Sequence, residues 1–396
     1  MEKISFEELK KILERKEEDI EKGVKEIIKR VKEEGDKAIF YYTEKFDRVK
    51  LENLKVNEDE IKESRKYLKG EIFEYIKKAK ERIEKYHKKQ LPKGFKIKEK
   101  YIEIEFRYQP IEKVGIYIPG GQSPLISTIL MTVIPAKVAT VKEIYVCSPP
   151  SYNGKIHPLI IATCDYLGIK NIFSAGGVCA ISAFAFGTET IPKVDLIAGP
   201  GNKYVNCAKK LLFGKVGIDL PAGPSEVVIF SDSSGIPDFI EYDLKAQIEH
   251  TDGTGILITT DEKIGKNIEK KVEKGYWILV KNEKEAIEII NYIAPEHLEV
   301  ISKKPFLFKN CKAGAIFIGN YTPVTIGDYF AGPSHVLPTG MSANFSSGLS
   351  VFTFLRSFAV IKCKKEFIKE YGKYIEKIAE VEKLESHKNS IKIRKS

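Results

Sequence analysis

The chain has 396 residues, of which 43% are hydrophobic and 30% charged, and its formal net charge is +10. This length exceeds what one hydrophobic core usually serves, so two or more domains are expected. Its lysines alternate with glutamates, as in Lys16-Glu17-Glu18, which is typical of solvated helix faces and argues against a nucleic-acid partner. No apolar run reaches the roughly 18–20 residues that cross a bilayer, and the first residues show no signal peptide. We therefore expect a cytoplasmic protein with no membrane partner.

Cysteine usage points the same way. The six cysteines are scattered and form no C-x-x-C pair. This argues against a thiolate zinc site and against a disulfide scaffold, and favours reduced, mostly buried thiols.

The N-terminal quarter and the C-terminal end both have the pattern of charged helices. Residues 1 to about 90 show apolar side chains at helical spacing, such as Val24, Ile27, Ile28 and Val31. Residues 95–110 alternate between polar and apolar side chains, which predicts antiparallel strands. From about Val351 the chain returns to charged helices, which we interpret as a terminal arm.

The central part alternates short apolar strands with helices, which predicts βαβ units and parallel sheets. Strands are predicted at 114–118, 143–147, 171–174 and 194–198, and again at 227–230, 255–259, 277–280 and 315–318. Helices are predicted at 127–141, 158–167 and 180–186, and again at 237–250, 262–274 and 284–293. Two α/β modules are therefore expected.

Gln247-Ile248-Glu249-His250 is the first segment that suggests chemistry. On a helix, positions i and i+3 share a face, so the Gln247 and His250 side chains can converge on one point. Their amide oxygen and imidazole nitrogen can both bind zinc, although the amide is the less usual ligand. A polar surface pair without a metal is the more common meaning of such a pattern.

Three further segments carry acids and histidines. Glu296 and His297 are adjacent and offer two proton-transfer groups, or else a favourable charge at a helix end. Asp328 and His335 lie in loops dense in glycine and proline. Asp328 could bind a metal, and His335 could contact a substrate, or their hydrogen bonds could simply stabilise the loops. His387, with Glu382 before it, would on its own be read as part of a solvated tail.

Glycine-rich turns follow several predicted strands. Gly199-Pro200-Gly201-Asn202 follows an apolar strand and opens a helix, a suitable place for the polar groups of a cofactor. It lacks the G-x-G-x-x-G spacing, because residue 204 is tyrosine. The chain contains neither a G-K-[ST] P-loop nor a G-x-S-x-G turn, so phosphoryl transfer and serine hydrolysis are not supported.

These segments together resemble the histidinol dehydrogenase family over nearly the whole chain. The resemblance is carried, in order, by segments 114–121, 185–189, 199–202, 221–226, 247–250, 294–299, 327–329, 335–339 and 387–389. Each segment alone is modest, but their joint presence in this order is specific.

The resemblance implies an α/β fold with two Rossmann-like parallel-sheet modules, helical N- and C-terminal arms, and a homodimer with shared active sites. Its implied organisation is an N-terminal helical arm (1–20), a first domain built from 21–110 and 226–350, and an inserted cofactor-side α/β domain (111–225). Residues 351–396 would then form a C-terminal arm that reaches the partner subunit's site.

The implied activity is oxidation of L-histidinol to L-histidine through L-histidinaldehyde, by two NAD-dependent hydride transfers at a zinc site. The resemblance implies one zinc ion per subunit, held by Gln247, His250, Asp328 and His387, with His387 coming from the other subunit. His297 would take the alcohol proton, and Glu296 would activate water. The remaining implied contacts are Ser225, His335 and Glu382 to the substrate, and Tyr117 and Asn202 to NAD.

One position departs from the family pattern. Cys179 stands where many members have a glutamine after Gly-Gly-x, and a thiol cannot make the hydrogen bonds of an amide. We therefore predict a weaker or rearranged NAD contact at this position. Two other functions remain open from the sequence: a paralogue that oxidises another small alcohol, and a zinc hydrolase in which Glu296 activates water.

Overall fold

The computed structural model describes residues 1–13, 20–120, 123–221, 223, 225–249 and 253–395. Its contacts divide the chain into two compact units. The first unit comprises Met1–Gln90 and Ile111–Phe354, and the second comprises Leu91–Pro110 and Leu355–Ser396. The domain boundaries expected from the sequence stay a prediction.

The described part of the chain alternates helices and strands through most of its length. Its strands are β1 (Glu2–Lys3), β2 (Phe95–Lys98), β3 (Ile102–Pro110), β4 (Lys113–Tyr117), β5 (Glu143–Ser148), β6 (Ile172–Ser174), β7 (Leu196–Ala198), β8 (Gly217–Ile218), β9 (Glu226–Ser231), β10 (Thr254–Thr259), β11 (Tyr276–Leu279), β12 (His297–Ile301), β13 (Ala315–Ile318) and β14 (Leu355–Cys363). Its α-helices are α1 (Phe6–Leu13), α2 (Glu21–Glu34), α3 (Asp36–Asp47), α4 (Glu58–Ser64), α5 (Gly70–Lys88), α6 (Ile126–Val138), α7 (Pro158–Tyr166), α8 (Gly177–Phe186), α9 (Lys203–Leu212), α10 (Pro237–Ile248), α11 (Glu262–Lys271), α12 (Glu283–Ile293), α13 (Val324–Tyr329), α14 (Lys365–Val381) and α15 (Glu385–Lys392).

The first unit contains a five-stranded sheet in the order β6-β5-β4-β7-β8, in which every pairing is parallel. Helices α6 and α8 are apolar nearly all round because they lie in the interior. The amphipathic helices α2 and α3 add Val24, Val31 and Ile39 to the same core. The predicted first α/β module is confirmed, although α8 begins at Gly177, earlier than the predicted start at residue 180.

A six-stranded parallel sheet forms the rest of the first unit, in the order β1-β11-β10-β9-β12-β13. Its central strand β9 is buried on both faces: Val228 and Phe230 face one core, and Val227 and Ile229 face another. Strand β12 was not predicted from the sequence, which placed His297 at the end of a helix. The histidine instead opens a fully buried strand between β9 and β13.

Helix α10 is shorter than predicted. It ends at Ile248 with Glu249 as its C-cap, whereas the prediction placed its end near residue 250. The i, i+3 relationship expected between Gln247 and His250 stays a prediction. His250 itself lies outside the described residues.

The second unit contains an antiparallel sheet in the order β14-β3-β2, followed by α14 and α15. The predicted antiparallel strands in 95–110 are confirmed. The prediction of helices alone from about Val351 is wrong, because β14 pairs with β3 along nine residues. Partly buried Phe358 and Val360 alternate there with exposed Ala359 and Ile361, the period of a strand. Among the described helices of both units, none is both long enough and apolar enough to cross a bilayer.

Candidate active site

Two polar dipeptides lie side by side at the amino ends of the neighbouring strands β9 and β12. The register pairs His297 with Val227, so Glu296 lies beside Glu226. Helix α12 ends at Ile293, and the left-handed φ of 44° at its C-cap Ala294 turns the chain towards β12. Glu296 and His297 are consequently buried, with 6% and 5% of their surfaces exposed.

The Glu296 carboxyl group is held by β9. The Ser225 hydroxyl donates to its Oε2 at 2.5 Å, and the backbone amide of Glu226 donates to the same oxygen at 3.1 Å. Burial raises the pKa of Glu296 to about 8, against the lowering effect of these two hydrogen bonds. The carboxyls of Glu226 and Asp328 raise it further. A carboxyl group that titrates near neutral pH is suited to accept and return a proton.

The His297 ring lies between two carboxyl groups. Its Nδ1 is 3.7 Å from Glu296 Oε2, and its Nε2 is 3.8 Å from Asp328 Oδ1. Asp328 belongs to the short helix α13, where Gly327 packs against the Phe317 ring so closely that a Cβ would overlap it. This glycine therefore allows the Asp328 carboxyl to approach the histidine, and burial raises the pKa of that carboxyl to about 6.

Further carboxyl groups surround this site, and the sequence analysis missed them. Burial raises the pKa of Glu226 to about 7, and its Oε1 accepts from the Gly340 amide at 3.1 Å. Burial beside Asp243 holds the pKa of Glu299 well above its usual range, while Glu299 Oε1 accepts from the Val324 amide at 2.7 Å. Glu299 stands two residues after His297, on the same face of β12. That spacing would have indicated it had the strand been predicted.

His335 is fixed by two hydrogen bonds. Its Nδ1 is 3.0 Å from the carbonyl oxygen of Asp328, and its Nε2 is 3.3 Å from the hydroxyl of Thr128 on α6. A carbonyl oxygen can only accept, so Nδ1 carries a proton and Nε2 is left to accept from Thr128 in the neutral ring. The structure thus connects Ser225, Glu296, His297, Asp328 and His335 into one group.

The expected zinc ligands differ in burial and in the unit to which they belong. Gln247 is 4% exposed, and its Nε2 has no hydrogen-bond partner among the described residues. His387 lies on α15 in the second unit and is exposed. Within the described ranges, which leave out His250, no three His, Cys, Asp or Glu side chains are grouped to hold a metal.

The residues present nevertheless fit a divalent cation. The Gln247 side chain is buried, and its amide oxygen is the atom that could bind a cation. Burial raises the pKa values of Asp328, Glu296 and Glu226, so three carboxyl groups lie where water solvates charge poorly. A cation would offset this concentration of negative charge, and carboxamide and carboxylate oxygens are possible ligands for it.

The expected NAD contacts belong to the five-stranded sheet. Tyr117 ends β4, and its hydroxyl accepts from the Gly177 amide at 3.1 Å. Cys179 lies in the first turn of α8, where burial raises the pKa of its thiol to about 12. Asn202 caps α9, since its Oδ1 accepts from the amides of residues 204 and 205. Tyr117, Cys179 and Asn202 therefore follow or end strands at the carboxyl edge of this sheet.

Glu382, expected to contact the substrate, is the C-cap of α14 in the second unit. Its side chain is exposed, as is that of His387. In the single chain, Glu382 and His387 are thus more exposed than Ser225 and His335, which are partly buried.

Comparison with known proteins identifies the family of this chain. The family model for histidinol dehydrogenase matches residues 11–395. The chain is 44% identical to a histidinol dehydrogenase from Clostridium acetobutylicum (98% of this chain, 95% of the relative) and 43% identical to one from Methanocaldococcus jannaschii (99% and 97%). The crystal structure of histidinol dehydrogenase from Elizabethkingia anophelis superposes with a TM-score of 0.92 at 37% identity, covering 100% of this chain and 97% of that one. The chain belongs to the histidinol dehydrogenase family.

Proposed function

We propose that this protein oxidises L-histidinol to L-histidine through L-histidinaldehyde, in two NAD-dependent hydride transfers at a zinc site. The observation that carries the proposal is the buried Glu296–His297 pair, placed between Ser225 and Asp328. Family membership supports an alcohol-oxidising role for this pair over a hydrolytic one. When bound, NAD supplies the hydride acceptor for each of the two oxidations.

His297 acts in the first oxidation. An alcohol can lose hydride only as its hydroxyl loses a proton, and histidine is the side chain best suited to take that proton near neutral pH. The ring is buried and bordered by the Glu296 and Asp328 carboxyl groups, and the ionised form of either would stabilise the imidazolium that forms. Burial also keeps bulk water from the aldehyde before the second step.

Glu296 acts in the second oxidation. The aldehyde must add water before it can lose another hydride, and a carboxylate within hydrogen-bond reach of that water can accept its proton. A pKa raised by burial makes the ionised Glu296 a stronger base than an exposed glutamate. The Ser225 hydroxyl fixes one oxygen of Glu296, which leaves the other for water.

The zinc ligands are proposed to be Gln247, His250, Asp328 and His387 of the partner subunit, with one ion per subunit. The bound metal would hold the substrate through its imidazole and amine. Ser225, His335 and Glu382 are proposed to contact the substrate. The homodimer is supported by exposed apolar side chains at helical spacing along one face of α14, namely Tyr374 (58%), Ile378 (61%) and Val381 (72%).

The five-stranded sheet is proposed to be the Rossmann-like cofactor module. Strand β4 has β5 on one side and β7 on the other, so the chain changes direction of progression between β4 and β7. Ligands of open α/β sheets bind at the carboxyl end of the strands at such a point. Tyr117 at the end of β4 and Asn202 beyond β7 border it, and Cys179 lies nearby at α8. The buried residues Cys147, Cys164, Cys179 and Cys311 are free thiols, which suits the reducing cytoplasm proposed as the location.

A substrate comparison tests the proposal. We expect L-histidinol to reduce NAD rapidly and L-phenylalaninol, which keeps the amine and the alcohol but lacks ring nitrogens, to react poorly. A paralogue that uses another small alcohol would show no such preference. A zinc hydrolase would form no NADH from any alcohol, which would contradict the proposal.

Shared sites are tested by mixing inactive subunits. His387→Ala and His250→Ala homodimers should each lose zinc and activity. A mixed dimer should regain some of both, because one of its two sites combines intact ligands from the two chains. Equal inactivity of mixed and unmixed dimers would contradict the shared site.

A further inference from the structure

A buried ion pair lies below the glycine turn at the carboxyl edge of the five-stranded sheet. Lys209 on α9 and Asp219 after β8 are in direct contact, with 2% and 0% of their side chains exposed. The ion pairs on helix surfaces of this chain, such as Lys25–Glu21, are half exposed. Moving both charges out of water is costly, and similar apolar side chains often stabilise a fold as well or better. Stability alone therefore does not explain the presence of the Lys209–Asp219 pair.

Both members of the pair also bind the backbone of one residue. Lys209 Nζ donates to the carbonyl oxygen of Gly199 at 3.0 Å, and the Gly199 amide donates to Asp219 Oδ2 at 2.8 Å. The other oxygen of Asp219 accepts from the Leu220 amide at 2.7 Å. Apolar side chains could fill the same space but could not form hydrogen bonds with the carbonyl oxygen or the amide of Gly199. The pair thus fixes the orientation of this glycine on both of its polar sides.

Gly199 occupies a critical position in the sheet. Its φ of 114° is unfavourable for other residues, and an added Cβ would overlap the carbonyl oxygen of Tyr117. It follows β7 directly and lies against the end of β4, where the sheet changes its direction of progression. The turn 199–202 that it begins ends in Asn202, the cap of α9, and Gly201 is tied in by the Asn206 side chain at 3.0 Å.

We propose that Lys209 and Asp219 are positioning residues that orient the 199–202 turn for the cofactor, and so determine the affinity for NAD. The inference rests on the proposed function in one respect, the placement of NAD at the β4–β7 edge. Neither residue touches the cofactor in this account. They act through Gly199, whose correct orientation places the backbone of Gly201 and the cap residue Asn202.

The test is the double variant K209M/D219N, which leaves neither charge unpaired in the interior. The asparagine can still accept from the Gly199 amide, whereas methionine leaves the Gly199 carbonyl without its donor. We expect the Kd for NADH, measured by fluorescence or calorimetry, to rise about tenfold, as for a lost hydrogen bond that leaves a buried acceptor unpaired. The KM for NAD should rise similarly, and the KM for histidinol should change by no more than about twofold.

Two further variants separate positioning from stability. K209Q/D219N restores a neutral donor near the Gly199 carbonyl and should recover much of the NADH affinity lost in K209M/D219N. R65M/D165N removes an Arg–Asp ion pair that joins α7 to the segment after α4 and is distant from the 199–202 turn along the sequence, and it should leave NADH affinity unchanged. If K209M/D219N does not fold, the Kd for NADH of K209Q/D219N is compared with that of the parent protein. The shorter, neutral donor should raise this Kd by about two- to fivefold, and an equal Kd would overturn the inference.

Unchanged NADH affinity in a folded K209M/D219N protein with a lowered Tm would overturn the inference and leave a structural role only. A rise in KM for histidinol as large as that for NAD would overturn it as well. Failure of the proposed function is distinguishable: the parent protein would then bind NADH but fail to reduce NAD with histidinol.

Discussion

Ser225 donates a 2.5 Å hydrogen bond to Glu296 across two neighbouring parallel strands, which joins the amino ends of β9 and β12. Ser225 directly precedes β9 and Glu296 directly precedes β12, so the sheet sets the positions of both residues. The contact gives Glu296 one fixed oxygen in a buried site, while burial raises its pKa to about 8. The proposed division of roles, in which His297 serves the alcohol and Glu296 serves the aldehyde, depends on this geometry.

Glu296→Gln should separate the two oxidations. The amide keeps the size of the side chain and its contact with Ser225 but cannot accept a proton from water. We expect oxidation of added histidinaldehyde to slow by about 10²–10⁴-fold, the usual contribution of a general base, with a smaller effect on histidinol oxidation. Single-turnover measurements with each substrate check this, with the exposed Glu288→Gln on the same chain segment as control. An unchanged rate with the aldehyde would remove Glu296 from the second step.

The raised pKa of Glu296 also predicts how stability changes with pH in zinc-free protein. Between the ordinary value of 4.5 and about 8, the folded protein holds a proton on Glu296 that the unfolded chain releases. Stability must therefore fall as pH rises through this interval. After chelation, the Tm of the parent protein should fall relative to that of Glu296→Gln between about pH 6 and pH 8. If the Tm values of the two proteins changed in parallel with pH, the pKa of Glu296 would not be raised.

Thr128→Val tests the position of His335. The substitution keeps the shape of a buried side chain and removes the hydroxyl that reaches His335 Nε2. We expect the KM for histidinol to rise by about three- to tenfold, since one hydrogen bond is worth roughly 1 kcal/mol, with the KM for NAD unchanged. Thr128→Ser keeps the hydroxyl and should behave like the parent protein. Equal KM values for the serine and valine variants would show that the contact has no role in binding.

Cys179→Gln addresses the departure from the family pattern. The thiol is buried and its raised pKa keeps it neutral, so it offers only weak hydrogen bonds. A glutamine there should lower the Kd for NAD by several-fold, as one added hydrogen bond would. Cys179→Ala controls for loss of the thiol alone and should have little effect. An affinity for NAD that is the same in Cys179→Gln and the parent would contradict the predicted weak contact.

The α/β class and both parallel modules could be predicted because buried parallel strands are short apolar runs separated by amphipathic helices. Strand β12 could not, since its first residues, His297 and Glu299, are polar and break the apolar run. Strand β14 was missed because its surroundings are rich in lysine and glutamate, although Phe358 and Val360 carry the period of a strand.

The site shows a similar division. Glu296, His297 and Asp328 stand in recognisable local motifs, so the sequence predicted that they matter. The contacts that define their chemistry are distant along the chain: Ser225 to Glu296, Thr128 to His335, and Lys209 to Asp219. Such pairs depend on strand order and helix packing, which local patterns do not specify.

The most direct test of the central claim is the amount of NADH formed when a limiting quantity of L-histidinol is consumed completely. The account predicts two NADH and one L-histidine for each histidinol, with both products lost when zinc is removed by a chelator and regained when it is returned. One NADH per histidinol with release of the aldehyde, or no NADH from zinc-replete dimer, would contradict it.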